Sequence, residues 1–154
     1  MQREDVSKIL IKVHPRFGTV CNIEDPKFGL EIKFSFKMIA AMQMFNHDTS
    51  QLDIFSDEKC SNQKLIEFRK KVEVNFYDEL KDFEAEVEVK LLSGQSYAKK
   101  YDLNTVVDSK ILELRVRKKA QNLIGCLAEE KIWKMLNDKK ISSNTFMQFL
   151  SELS

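Results

Sequence analysis

Residues 83–101 read Phe83-Glu84-Ala85-Glu86-Val87-Glu88-Val89-Lys90-Leu91-Leu92-Ser93-Gly94-Gln95-Ser96-Tyr97-Ala98-Lys99-Lys100-Tyr101. Phe83, Ala85, Val87, Val89 and Leu91 alternate with Glu84, Glu86, Glu88 and Lys90, the period of a strand that buries one face. Ser93-Gly94 supplies a hairpin turn, and 95–101 returns as the partner strand with Tyr97 and Tyr101. The pattern predicts Val87 and Val89 buried and Glu86 and Glu88 on the wetter face, since a one-residue slip inverts every side chain. Pairing of the glutamates with the returning Lys99 accounts for them without a catalytic role.

Upstream, Val72, Val74 and Phe76 alternate as a further strand, and so do Ile9, Ile11 and Val13 within 6–13. His14-Pro15 closes that first strand, because proline lacks a ladder donor and biases the residue before it away from helix. The stretch 16–31, with Gly18, Asp25-Pro26 and Gly29, reads as an irregular connection. A helix is expected over Lys33–Phe45. Phe34, Met38, Ala41, Met42 and Phe45 make one stripe, while Phe36, Ile39, Ala40 and Met44 fill the other faces, so this helix must be buried on more than one side. Thr49 or Ser50 is placed to cap a short helix carrying Leu52 and Phe55, and Asn62 one through Leu65, Ile66 and Arg69.

Downstream the chain turns helical. Asp108 caps Lys110–Ile124, Gly125 stops it, and Leu127–Asn137 follows. A last helix begins near Ser142 or Ser143 and carries Phe146, Phe149, Leu150 and Leu153. Strands and helices are segregated, which predicts α+β: a small, mainly antiparallel sheet packed on helices in two layers. With few glycines or prolines to mark a linker, 1–154 reads as a single domain.

The chain has 154 residues, 43% hydrophobic and 32% charged, a globular composition with enough length for a real core. A formal net charge of +1 leaves no global field toward nucleic acid or an anionic membrane. No apolar run reaches the roughly 18–20 residues of a membrane span, and no secretory leader is expected. Cys21, Cys60 and Cys126 are three, widely spaced and without a CxxC pair, so free, mostly buried thiols in a reducing cytoplasm are expected.

Candidate chemistry is sparse. His14 and His47 are isolated, and His14 at a strand end reads as structural. Nothing frames Cys60 as a nucleophile. Arg115, Arg117, Lys118 and Lys119 spread around a helix that Glu113 dilutes, which reads as a solvated face. No RNP1-type run, GxGxxG, Walker A or GxSxG pattern is present.

The informative segment is Asp25-Pro26-Lys27-Phe28-Gly29-Leu30-Glu31-Ile32-Lys33-Phe34-Ser35. It sets Glu31, Lys33 and Ser35 at the entrance of an apolar helix, where free N–H groups and positive potential suit a carboxylate. Capping and surface pairing account for the same side chains.

This segment also resembles the C-terminal domain of the MmgE/PrpD family, in which a strand ends in His-Pro and a Pro-x-x-Gly-x-Glu-Ala-Lys-Phe-Ser run opens a helix. The matching pieces are Val13-His14-Pro15, Pro26, Gly29, Glu31, Lys33, Phe34 and Ser35. Gln51-Leu52-Asp53-Ile54-Phe55-Ser56-Asp57-Glu58 is similar to the family's segment ending in Phe-x-Asp-Glu. Lys71–Val74, Ala85–Val89 and Leu92–Gln95 are similar to its following strands and hairpin. The resemblance runs from about Val6 to the last helices.

The resemblance implies a lyase-like function on small di- or tricarboxylates, as in 2-methylcitrate dehydratases, cis-aconitate decarboxylases and an iminodisuccinate epimerase. Their chemistry moves a proton beside a carboxylate without metal, so no cofactor is expected. It implies Lys33 as a charge partner and Ser35 as a hydrogen-bond donor to substrate, and it names no catalytic base here. Family members carry a large all-helical domain first, the expected partner, and this chain looks like the substrate-covering domain without it, inactive alone. Two features depart from the family: Met38 stands where a tyrosine is usual, and Tyr101–Asp108 lacks the proline-rich loop. A non-catalytic interaction module that kept the fold is the other reading. The apolar Lys33–Phe45 helix further predicts a homo-oligomer through Phe36 or Met44.

Overall fold

The computed structural model describes residues 2–138 and 140–152, so Leu153 of the last expected helix lies outside the described residues. It is α+β, with a four-stranded sheet of strands β1 (Val6–Val13), β2 (Val72–Phe76), β3 (Glu84–Leu91) and β4 (Ser96–Asp102). The order is β2-β1-β3-β4. β2 lies parallel to β1, while the β1–β3 and β3–β4 ladders are antiparallel, so the sheet is mixed with antiparallel pairing predominant. Seven helices are found among the described residues: α1 (Gly29–Ile32), α2 (Phe36–Met44), α3 (Asp57–Cys60), α4 (Gln63–Arg69), α5 (Ser109–Ile124), α6 (Cys126–Asn137) and α7 (Ser143–Ser151). Where the sequence suggests one domain, the chain divides into two compact units, 1–106 and 107–154.

In the first unit α2 packs on α4 and on β2. Ile9 stands opposite Val72 on β2 and Val89 on β3, and Ile11 opposite Val74 and Val87, so these side chains share one face of the sheet. Val6, Ile9, Ile11, Val13 and Val72 from the sheet bury with Ile32, Met38, Ala41, Met42, Leu65 and Phe68. Each such burial contributes roughly 1.5–3 kcal/mol relative to exposure. The other face carries charge across the strands: Lys12 pairs with Glu86 at 2.6 Å and Lys100 with Glu84 at 2.9 Å.

Several sequence expectations need correction. Val87 has the expected facing but is 38% exposed, because α2 packs toward β2 and leaves the β3–β4 half of that face thinly covered. Glu84, by contrast, is buried, held by the Lys81 N–H and the Lys100 ammonium. The cross-strand lysine is Lys100, which stands opposite Glu86, while Lys99 stands opposite Val87 on the other face. The helix expected from Lys33 starts at Phe36, because Lys33 closes α1 and Ser35 caps α2. No helix forms at 49–55: the Asp48 carboxylate takes the Ser50 N–H and hydroxyl, a local bonding pattern that competes with helix.

Helix α2 is enclosed on most sides. Met38, Ala41 and Met42 are buried, and Phe36, Ala40 and Met44 are half-buried against the same core. A homo-oligomer through Phe36 or Met44 thus has less uncovered surface to bury than the sequence leads one to expect.

The second unit contains α5, α6 and α7. Asp108 caps α5 through the N–H groups of Lys110 and Ile111, and Gly125 at φ +84° turns the chain directly into α6. Across that turn Arg117 donates to Glu129 at 2.6 Å, Gln121 donates to the same carboxylate at 2.8 Å, and the guanidinium lies 5.1 Å from the Trp133 ring centroid. Ser142 caps α7. Among the described residues no helix is long and apolar enough to cross a membrane.

Candidate functional site

Segments 26–35 and 55–57, far apart in sequence, meet in space. Pro26 is buried, and the Glu31 carboxylate reaches back to accept the Lys27 N–H at 2.6 Å, closing the turn that leads into α1. Gly29 then lies so close to the backbone of Phe55 that a β-carbon would stand 2.1 Å from the Phe55 carbonyl oxygen. Its N–H donates to Asp57 Oδ1 at 2.7 Å, across 28 residues of sequence. Lys33 extends over the ring of Phe55, its ammonium 5.2 Å from the centroid. A glycine, an aspartate and a lysine thereby tie 26–35 to 55–57 in one structure.

Beyond α1 the backbone reverses through Phe34 and Ser35. Phe34 O accepts the Ile23 N–H at 3.0 Å, and Asn22 bridges Ser35, pinning the chain before α2. Ser35 is 1% exposed, and its Oγ accepts the Met38 N–H at 3.2 Å as the helix cap. Lys33 is exposed. Both expected site residues lie at the α1–α2 junction, Lys33 exposed and Ser35 buried. Exposed apolar side chains flank Lys33 in sequence: Phe28 is 61% and Leu30 66% accessible.

Charges surround the entry to this segment. Asp25 pairs with Lys27 and with Arg69, the latter at 2.7 Å, and these partners hold its carboxyl below the ordinary range, Lys27 foremost. Lys37 does the same for Glu24 at 2.7 Å. Nη1 of Arg69 is buried with no hydrogen-bond partner among the described residues. Burial pushes the Cys60 thiol up, and the nearby Asp57 and Glu31 charges add to this, which leaves it a poor nucleophile.

The remaining candidates have local duties. His14 Nδ1 accepts the Arg16 N–H, while its Nε2 lies 3.7 Å from Asp82. Burial, with Lys59 nearby, lowers the His47 pKa. Of the basic run on α5, Arg117 is taken by Glu129, whose carboxyl it holds below the ordinary range with help from Gln121. Cys21 and Cys60 are half-buried and Cys126 is exposed, so the thiols are free but less enclosed than expected. Among the described residues no three His, Cys, Asp or Glu side chains gather as a metal site would need.

Two of the clefts on the first unit lie elsewhere. One of about 280 Å³ is apolar and includes Val13, Phe17, Cys21, Phe36, Tyr101 and Leu103. Another of about 340 Å³ sets Arg3, Lys64 and Lys71 around Phe45 and Phe68. Neither includes Lys33 or Ser35. Asp57 and Arg69 are the junction residues that sequence reasoning did not single out. Asp57 belongs to the Phe-x-Asp-Glu segment, but its bond to Gly29 forms only once the chain closes.

The chain matches no protein-family model and no curated protein.

Proposed function

We propose that this chain is the substrate-covering α+β part of an MmgE/PrpD-like lyase acting on small di- or tricarboxylates. The observation that supports the reading is the convergence of Pro26–Ser35 with Phe55–Asp57, two of the segments that carry the resemblance, through Gly29 and Asp57. Lys33 is the charge partner for a substrate carboxylate. Ser35 is buried and uses its oxygen as a cap, which leaves its hydroxyl hydrogen as the remaining donor. Phe28 and Leu30 give an all-helical partner domain an apolar surface beside Lys33. A cytoplasmic setting accords with three free thiols.

A general base contributes roughly 10²–10⁴ in rate and must lie within hydrogen-bond reach of the proton it takes. The junction offers an ammonium, a hydroxyl and carboxylates already bound to N–H groups or cations. The chain alone should therefore show no turnover of cis-aconitate, 2-methylcitrate or iminodisuccinate. Saturable turnover by this chain alone, lost on Lys33→Ala, would overturn the proposed division of labour.

One observation favours the second reading, a non-catalytic interaction module. Met38, at the position of the family's usual tyrosine, is fully buried in the core and offers nothing to a ligand. Selective binding of a tricarboxylate at Lys33 separates the two readings.

A further inference from the structure

Strand β4 ends the sheet, and among the described residues no other strand covers the outer side of Ser96–Asp102. Six of its seven residues are exposed. Leu91 N–H donates to Gln95 O and Leu103 N–H to Phe83 O, one at each end of the β3–β4 ladder. Antiparallel bonding alternates from these two points, so Tyr97, Lys99 and Tyr101 bond inward to β3. Ser96, Ala98 and Lys100 then direct their N–H and C=O groups away from the sheet.

The side chains add a pattern to this open edge. Tyr97, Lys99 and Tyr101 stand opposite Val89, Val87 and Ala85, and so share the apolar face of the sheet. Tyr97 is 57% and Tyr101 45% exposed, with Lys99 between them. Lys99 makes no ion pair among the described residues, whereas Lys100 on the other face pairs with Glu84. A cation at the centre of an aromatic strip calls for an opposing carboxylate.

We infer that β4 is a recognition edge for an extended acidic segment of another polypeptide, which adds to the sheet as a fifth strand. Main-chain bonds to Ser96, Ala98 and Lys100 supply the affinity, and alternate side chains supply the choice of partner. The residue opposite Lys99 falls at a non-hydrogen-bonded position, where side chains approach most closely, so a glutamate there meets the ammonium directly. Its neighbours two residues away, opposite Tyr97 and Tyr101, are best β-branched or aromatic. The same lysine disfavours a second copy of this chain: antiparallel self-pairing about the strand's midpoint sets Lys99 against Lys99, and edge lysines guard against such pairing.

The probe is the blocked peptide Thr-Val-Thr-Glu-Thr-Val-Thr, compared with its Thr-Val-Thr-Lys-Thr-Val-Thr counterpart, in amide-resolved NMR titrations of the full chain. The glutamate peptide should shift Ser96, Ala98 and Lys100 saturably and slow their amide exchange, with the lysine peptide at least about tenfold weaker. Lys99→Glu, an exposed change, should reverse that preference. Equal binding of both peptides, no binding, shifts centred away from 96–102, or protection of these amides by self-association without peptide would each overturn the inference.

Discussion

A β-carbon on Gly29 would lie 2.1 Å from the Phe55 carbonyl oxygen and 2.7 Å from its carbon. Both are backbone atoms, so no flexible side chain can yield. Gly29→Ala must therefore push α1 off the 55–57 segment and lengthen the Gly29–Asp57 bond. The expected cost is about 1–3 kcal/mol, read as a lower denaturant midpoint with the slope retained. Asp57→Ala should cost a similar amount by leaving the buried Gly29 N–H unpaired, about 1–3 kcal/mol. If both variants matched the unmodified chain in stability, the junction would not be packed as described. At this scale the sequence showed that residue 29 is a glycine in a motif, but not why. The reason lies in a carbonyl 26 positions further along the chain, which no local pattern encodes. Lys33 and Ser35 were legible as a pair at a helix entrance; that one is exposed and the other buried depends on the separate helix α1 closing at Lys33 before Ser35 caps α2.

Among the elements, strands were read closely and helices near them less so. Alternation names a strand's faces unaided, and β1, β2 and β3 lie within a residue of their expected limits. Alternation does not say how much of a face the helices cover. That is why Val87 and Ile11, directly opposite each other on one face, differ so much: Ile11 is 7% exposed and Val87 38%. Ile11→Ala should cost about 2–5 kcal/mol, as truncations of buried isoleucine do. Val87→Thr keeps shape and β-propensity at a partly wet position, and should cost under about 1 kcal/mol. Thermal or denaturant melts of the two variants give the comparison. Equal losses would mean that the β3 face is as enclosed as the β1 face. The missed start of α2 has a comparable origin: Phe34 fits the apolar helical stripe, yet the Ser35 oxygen accepts the Met38 N–H as a cap and fixes the boundary there.

Across the whole molecule, the class α+β followed from the segregation of strands and helices, whereas the division near 106 left no mark in composition. Residues 102–108 hold no glycine or proline, so the usual punctuation of a boundary is missing. The proposed function lies on the first unit, where the segment holding Lys33 closes on 55–57 and, as we propose, receives a carboxylate-rich small molecule. Titrating the isotope-labelled chain with cis-aconitate, against acetate at matched ionic strength, tests this most directly by NMR. Saturable shifts of the Lys33 ammonium-adjacent signals and of amides 33–37 are expected with cis-aconitate alone, all lost in Lys33→Ala. Shifts that are equal for both acids, that persist in Lys33→Ala, or that centre instead on Arg3, Lys64 and Lys71 would contradict it.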